Sequence, residues 1–174
     1  TADLISQKCK ILPSGELNIR RVRDANAEAP SRSVVQSVKF HQSGRLILTA
    51  GYDKSLRIFR VDGKYNAKLR GIHFPDLPIH SADFCRKDGT EIVVSGRRRF
   101  FYSVEVETGI TSRIQTLRDR KEKSLERMKV SASGRYLAFA ESEGRVSLLC
   151  SHTKRIIGGV KMNSEVRDMA FGTE

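Results

Sequence analysis

Apolar and polar positions along this chain fall into short runs with a repeated order. The segments "LILTA" (46–50), "EIVVS" (91–95) and "YLAFA" (136–140) are almost wholly apolar. Runs this short, rich in β-branched and aromatic residues and bounded by polar turns, predict strands covered on both faces. Each is preceded by a strand ending at Phe40, Phe84 or Val130 and by a polar turn carrying Gly44, Gly89 or Gly134. Each is followed by a second turn and a third strand, "LRIFRV", "FYSVEV" or "VSLLCS". Turns such as "HQSG" and "SASG" combine a flexible glycine with side chains that bond nearby backbone, which suits antiparallel hairpins.

Aligned on these features, "VVQSVKFHQSGRLILTAGYDKSLRIFRVDGK", "IHSADFCRKDGTEIVVSGRRRFFYSVEVETG" and "LERMKVSASGRYLAFAESEGRVSLLCSHTKR" are three copies of one unit. A fourth begins at "SEVRDMAF". The anchors Phe40, Phe84, Val130 and Phe171 are 44, 46 and 41 residues apart. A period of about 40 to 45 residues with four strands per unit is the signature of a WD-repeat β-propeller. The more charged, Gly-containing segments 64–74, 110–117 and 155–160 are the expected outer fourth strands. A β-sandwich also recurs in short strands, but does not repeat one strand-turn order at constant spacing. The expectation is therefore an all-β, partial propeller within 1–174: full blades near 31–74, 77–117 and 124–160, with partial blades at 1–24 and 163–174. Three repeats and a fraction leave a ring open, so the remaining blades of the propeller are expected elsewhere. "GELNIRR" reads like a third strand of the preceding blade.

The units depart from the standard WD repeat. There is no Trp in the chain, and Phe59-Arg60, Val104-Glu105 and Leu149-Cys150 stand where Trp-Asp would end the third strand. Only "AGYDKSLRIF", with Gly51 and Asp53, keeps the acidic residue of the tight turn. The full His-Ser-Asp-Trp network cannot form, so stability should come mainly from branched side chains, at roughly 1.5–3 kcal/mol for each large one buried.

Between a strand ending near Val22 and the unit starting near Ser31 lies "RDANAEAP", whose alanines, Asn and Glu favour a turn, with Pro30 setting an extended exit. On its own it is a connecting loop in the place of a fourth strand. In its context of "SV-x-FH", "SLR-[IL]-F-x-VDGK" and "LPIHSADF", it resembles the WD-repeat family numbered eighteen among the U3 small nucleolar RNA-associated proteins. The resemblance runs from about Gly15 to Phe171. It implies a nucleolar, non-enzymatic subunit of the small-subunit processome, acting in U3-dependent precursor ribosomal RNA processing and 40S biogenesis. It implies as partners other WD-repeat processome subunits, U3 small nucleolar RNA and pre-ribosomal RNA, directly or through the complex. That family's long N-terminal extension has no counterpart in this sequence.

Composition narrows the partner class without fixing the function. Lys and Arg number 32 against 20 Asp and Glu, a net charge of +12, which favours a polyanionic neighbour such as RNA. No apolar run approaches the roughly 20 residues of a membrane span, and no leader-like segment opens the chain. Cys9, Cys85 and Cys150 are odd in number and far apart, which supports neither a disulfide framework nor a metal site, and fits a reducing compartment.

Candidate chemistry is basic rather than catalytic. His41, His73, His80 and His152 stand in no H-E-x-x-H or triad-like setting, and neither a nucleophile elbow nor a phosphate loop is present. No cofactor is expected. Arg97, Arg98 and Arg99 fill the turn between the second and third strands of their unit, where guanidinium forks could grip RNA phosphate or an acidic partner; the plainer reading is a solvated loop. The second candidate is "RDRKEKSLERMK", with Arg118, Arg120, Lys121 and Lys123, whose mixed charges also suit a solvated surface. Phe100, Phe101 and Tyr102 read as strand residues. Two functions remain: an assembly scaffold with incidental RNA contact, and a direct RNA-binding module. A propeller adaptor in another nuclear complex is a more distant third, because fold alone does not set function.

Overall fold

In the computed structural model, residues 15, 19, 21–115 and 124–172 are described. They form three antiparallel four-stranded sheets. The first contains β1 (Val35–Phe40), β2 (Leu46–Gly51), β3 (Ser55–Arg60) and β4 (Lys68–His73) in sequence order. The second runs β5 (Ser81–Cys85), β6 (Glu91–Ser95), β7 (Phe101–Glu105) and β8 (Thr111–Ile114). The third holds β9 (Arg127–Val130), β10 (Tyr136–Ala140), β11 (Arg145–Cys150) and β12 (Ile156–Lys161). The first strands converge, β1 beside β5 and β5 beside β9, so they are the inner strands and the fourth strands lie at the rim.

The apolar runs behave as the sequence predicts. All of β6 and nearly all of β2 and β10 are buried; β6 lies between the other two sheets, with Ile92 and Val94 packed towards the first and Val93 towards the third. Between the first two sheets, Leu48, Ala50, Leu56 and Ile58 meet Ile92, Val94, Phe100 and Val104. Between the second and third, Val93 and Phe101 meet Met128, Leu137, Phe139 and Leu149, with the Phe101 and Phe139 rings 5.1 Å apart. The hairpin turns close alike: Gly44 N–H donates to His41 O, Gly89 N–H to Arg86 O and Gly134 N–H to Ser131 O. Gly134 takes φ +68°, and a Cβ there would run into the Arg86 backbone of the preceding sheet. That close approach needs glycine twice over.

Polar bridges link the sheets near their inner strands. Ser37 Oγ donates to Ala82 O at 2.7 Å, and Lys39 pairs with Asp83 at 3.1 Å. His41 reaches Asp88 O at 3.1 Å, with its ring edge-on to Phe84, so this histidine is a structural bridge. A buried cluster joins the second and third sheets: Lys154 Nζ lies 2.7 Å from Glu91 Oε1, Arg86 Nε lies 2.7 Å from Glu91 Oε2, and the Ser103 hydroxyl donates to Glu91. Burial pushes the Glu91 carboxyl up, but the Lys154 and Ser103 hydrogen bonds and the Arg86 charge more than offset it, leaving it below the ordinary range.

Asp53 replaces part of the missing WD network. It accepts from Ser31 Oγ at 2.9 Å and pairs with Arg57 at 2.7 Å, which ties the entry of the first unit to its second turn. The segment around "DANAEAP" makes turns, with Ala27 N–H to Asp24 O and Ala29 N–H to Asn26 O. It docks on the β3–β4 connection: Asn66 Nδ2 donates to Arg23 O at 2.9 Å, and the Glu28 carboxylate accepts from the Lys68 backbone N–H. An acidic side chain thus caps the start of a rim strand that would otherwise expose its donor.

Two positions differ from their repeat counterparts. Phe40 matches Phe84 in the repeat, yet it is 62% exposed against 8%. Phe84 has a preceding sheet to pack on, whereas Phe40 has none among the described residues. Residues 162–172 form no strand, because none of them pairs with another described strand; Met169 and Phe171 instead border a hollow with Ala138, Val146 and Leu148 on the third sheet.

Candidate nucleic-acid interface

One end of the three-sheet stack is built from the turns between second and third strands and from the links between sheets. Backbone hydrogen bonds bring them together: Phe74 N–H to Lys54 O, Ile79 N–H to Gly51 O, and Leu125 N–H to Gly96 O. The Arg97–Arg99 turn sits at this end, with all three residues exposed. At its start Gly96 lies against the Pro78 backbone, where a Cβ would clash.

The three arginines do different things. Arg97 turns towards the third sheet, where its Nε donates to Glu126 Oε2 at 2.6 Å. Glu126 also faces His80 Nδ1 at 3.7 Å, and His80 lies 3.5 Å from the Tyr52 hydroxyl. The Arg97 hydrogen bond holds the Glu126 carboxyl below its ordinary range, and burial followed by the Arg97 charge lowers His80. Arg98 turns the other way, its Nε donating to Asp76 O at 3.3 Å. Arg99 extends into solvent.

Asp76 is a hub. Its carboxylate accepts from the Tyr102 hydroxyl at 3.0 Å and pairs with Arg113 at 3.5 Å. The Arg113 guanidinium carbon lies 3.6 Å from the centre of the Phe100 ring. The Phe74, Phe100 and Tyr102 rings form a continuous aromatic bed beneath, with centroids 4.8 Å and 5.6 Å from Tyr102. Lys54 Nζ donates to Pro75 O at 2.7 Å beside them. Lys54, Arg98 and Arg113 therefore gather around one loop, at Pro75 and Asp76.

Arg113 and Lys54 escaped the sequence reading. The signal that could have found Arg113 is strand register: it sits opposite Tyr102, next to the aromatic triplet, on the rim strand β8. Arg118, Arg120, Lys121 and Lys123 lie outside the described residues. Of the repeat positions, Gly51, Phe59, Gly89 and Gly134 are buried, and Gly89 and Gly134 pack on His41 and Arg86 of the preceding sheets. Among the described residues no group of three or more His, Cys, Asp or Glu side chains is placed to hold a metal ion, and no helix is long and apolar enough to cross a membrane.

Three stacked sheets of this strand order, converging on their first strands, define a WD-repeat β-propeller arc. In agreement, the crystal structure of a β-propeller domain of Cps50 (Swd1) from Myceliophteria thermophila superposes with a TM-score of 0.61, covering 76% of this chain and 43% of that one at 20% identity, which speaks to fold alone. No family model matches the chain. Among curated proteins it is 44% identical over 163 residues to the U3 small nucleolar RNA-associated protein 18 homolog of Arabidopsis thaliana, covering 94% of this chain. It is 31% identical over 163 residues to the human homolog, and 39% identical over 116 residues, or 64% of this chain, to the protein of Saccharomyces cerevisiae. The chain belongs to the U3 small nucleolar RNA-associated protein 18 family, and it spans 30%, 29% and 20% of the length of these three relatives.

Proposed function

We propose that this chain is part of a non-catalytic WD-repeat scaffold subunit of the small-subunit processome, acting in the nucleolus in U3-dependent pre-ribosomal RNA processing. The observation that carries the reading is the 44% identity across 94% of the chain to a U3 small nucleolar RNA-associated protein. A stack of rigid sheets offers broad rims and loop-covered ends, on which neighbouring WD-repeat subunits can dock without any chemistry at the contact. The excess of positive charge suits a particle built around RNA.

A second reading, direct RNA binding at the arginine turn, is favoured by one feature: Arg98 and Arg99 stay exposed beside Arg113 while Arg97 is engaged with Glu126. The test of the first reading is affinity purification of the full-length protein from nucleolar extract, with co-purified RNA sequenced. Enrichment of U3 and precursor ribosomal RNA is expected, and recovery without U3 overturns it.

A further inference from the structure

The Arg113 guanidinium carbon stands 3.6 Å over the centre of the Phe100 ring, where the ring's negative face attracts it, and the Asp76 carboxylate pairs with it at 3.5 Å. Its side chain is still 47% exposed. A planar cation seated over an aromatic ring and still partly open to solvent offers a stacking surface for an unpaired nucleobase. Arg98 reaches the same residue, Asp76, so its guanidinium lies within a side chain's length of that surface; Lys54 bonds the neighbouring Pro75 O, and the exposed Arg99 follows Arg98 in the same turn. Phosphates on either side of a stacked base would meet these cations.

From this arrangement we propose that Arg113, on its Phe100 bed, together with Arg98 and Arg99, forms a binding site for single-stranded RNA: one base stacks on the guanidinium and the flanking phosphates pair with the turn. The inference rests on the processome reading above and deepens it. An acidic peptide would need only the charges, whereas the ring beneath Arg113 organises a flat surface that charge recognition does not require. Base-paired RNA hides its faces and is a poor ligand for such a platform. The aromatic bed itself is buried, Phe100 being 6% exposed, so it orients the arginine and does not stack on RNA itself.

The test uses the full-length protein, a fluorescent short oligouridine and a duplex RNA control, with binding measured across a salt series. Arg113→Lys keeps the charge and loses the plane, so it is expected to weaken oligouridine binding roughly 5- to 150-fold, as for loss of one stacked base, without changing the salt slope. Replacing Arg98 and Arg99 together with Ala is expected to flatten the logarithmic salt slope by about 1.4, as for two lost phosphate contacts on a single strand. Equal oligouridine affinity for Arg113→Lys and the parent overturns the site. So does an RNA affinity untouched by either variant when the Arg98/Arg99 variant is released from the particle, which assigns the surface to an acidic protein. Thermal unfolding checks that both variants fold; should Arg113→Lys fail to, crosslinking of 4-thiouridine RNA to the parent protein replaces it. Crosslinks within 98–113 are then the expected result, and crosslinks only elsewhere overturn the proposal. Failure of the processome reading shows separately, as loss of U3 from the purified particle while oligouridine binding persists.

Discussion

Lys154→Met should open the contact between the second and third sheets, and Cys85 reports that opening. Lys154 reaches from the β11–β12 turn to Glu91, where it is one of three partners of a nearly buried carboxylate. Breaking a buried pair outright costs about 3–5 kcal/mol. Here Arg86 and Ser103 stay on the carboxylate, so the loss should be about 2 kcal/mol, or about 30-fold in the opening equilibrium. Cys85 is fully buried at the same contact, and burial pushes its thiol up, so reagents reach it only when the sheets part. Thiol labelling of the native full-length protein, followed by peptide mass spectrometry to separate Cys85 from the more accessible Cys150, measures the rate. About 30-fold faster labelling of Cys85 is expected, and Glu91→Leu combined with Lys154→Met should return most of it, because an apolar pair of similar volume needs no desolvation. The depressed Glu91 pKa sets the pH window: the bridge contributes fully above the ordinary carboxylate range and is lost as pH falls through the lowered value. In Lys154→Met the Glu91 carboxyl loses part of what lowers it, so that acid-side loss should be smaller. A labelling rate within about threefold of the parent would refute the reasoning, since the cluster would then contribute nothing to closure.

Further outcomes follow from other contacts. Phe139→Ala removes a ring fully buried against Phe101 and should cost about 3–5 kcal/mol, read as a lower urea midpoint. Gly134→Ala should be far worse than Gly44→Ala in thermal unfolding: both have positive φ, but only the former meets backbone, while the latter opens onto free space and should cost about 1 kcal/mol. For Asp53, burial raises the carboxyl but the Arg57 and Ser31 bonds more than offset it, so its contribution is present above the ordinary carboxylate range and lost as pH falls through the lowered value. Asp53→Asn should therefore lower the melting temperature at neutral pH and flatten its decline in acid.

Strand order was legible because it is local. The apolar runs at 46–50, 91–95 and 136–140 became β2, β6 and β10, and the turn glycines fell at the hairpins, since period and turn chemistry act within a few residues. The partners of the charged groups were not. Arg97 finds Glu126 and Arg113 finds Asp76 across 29 and 37 residues, through the stacking of sheets and the path of the links between them. A basic triplet in the sequence therefore reads as one patch, whereas the fold divides it between an internal ion pair and an open surface. Arg113 was invisible for the same reason: nothing in "TSRIQ" shows that a phenylalanine thirteen residues earlier lies beneath it.

Phe84 is sheltered by His41, and the turn at Gly134 is moulded on Arg86; in both cases the later unit leans on one already synthesised. A nascent chain emerging from its amino end can thus mature one blade at a time, each newcomer finding a finished template. Each added blade then covers the apolar face its predecessor left at the growing front, which limits the chances of misassembly there during translation.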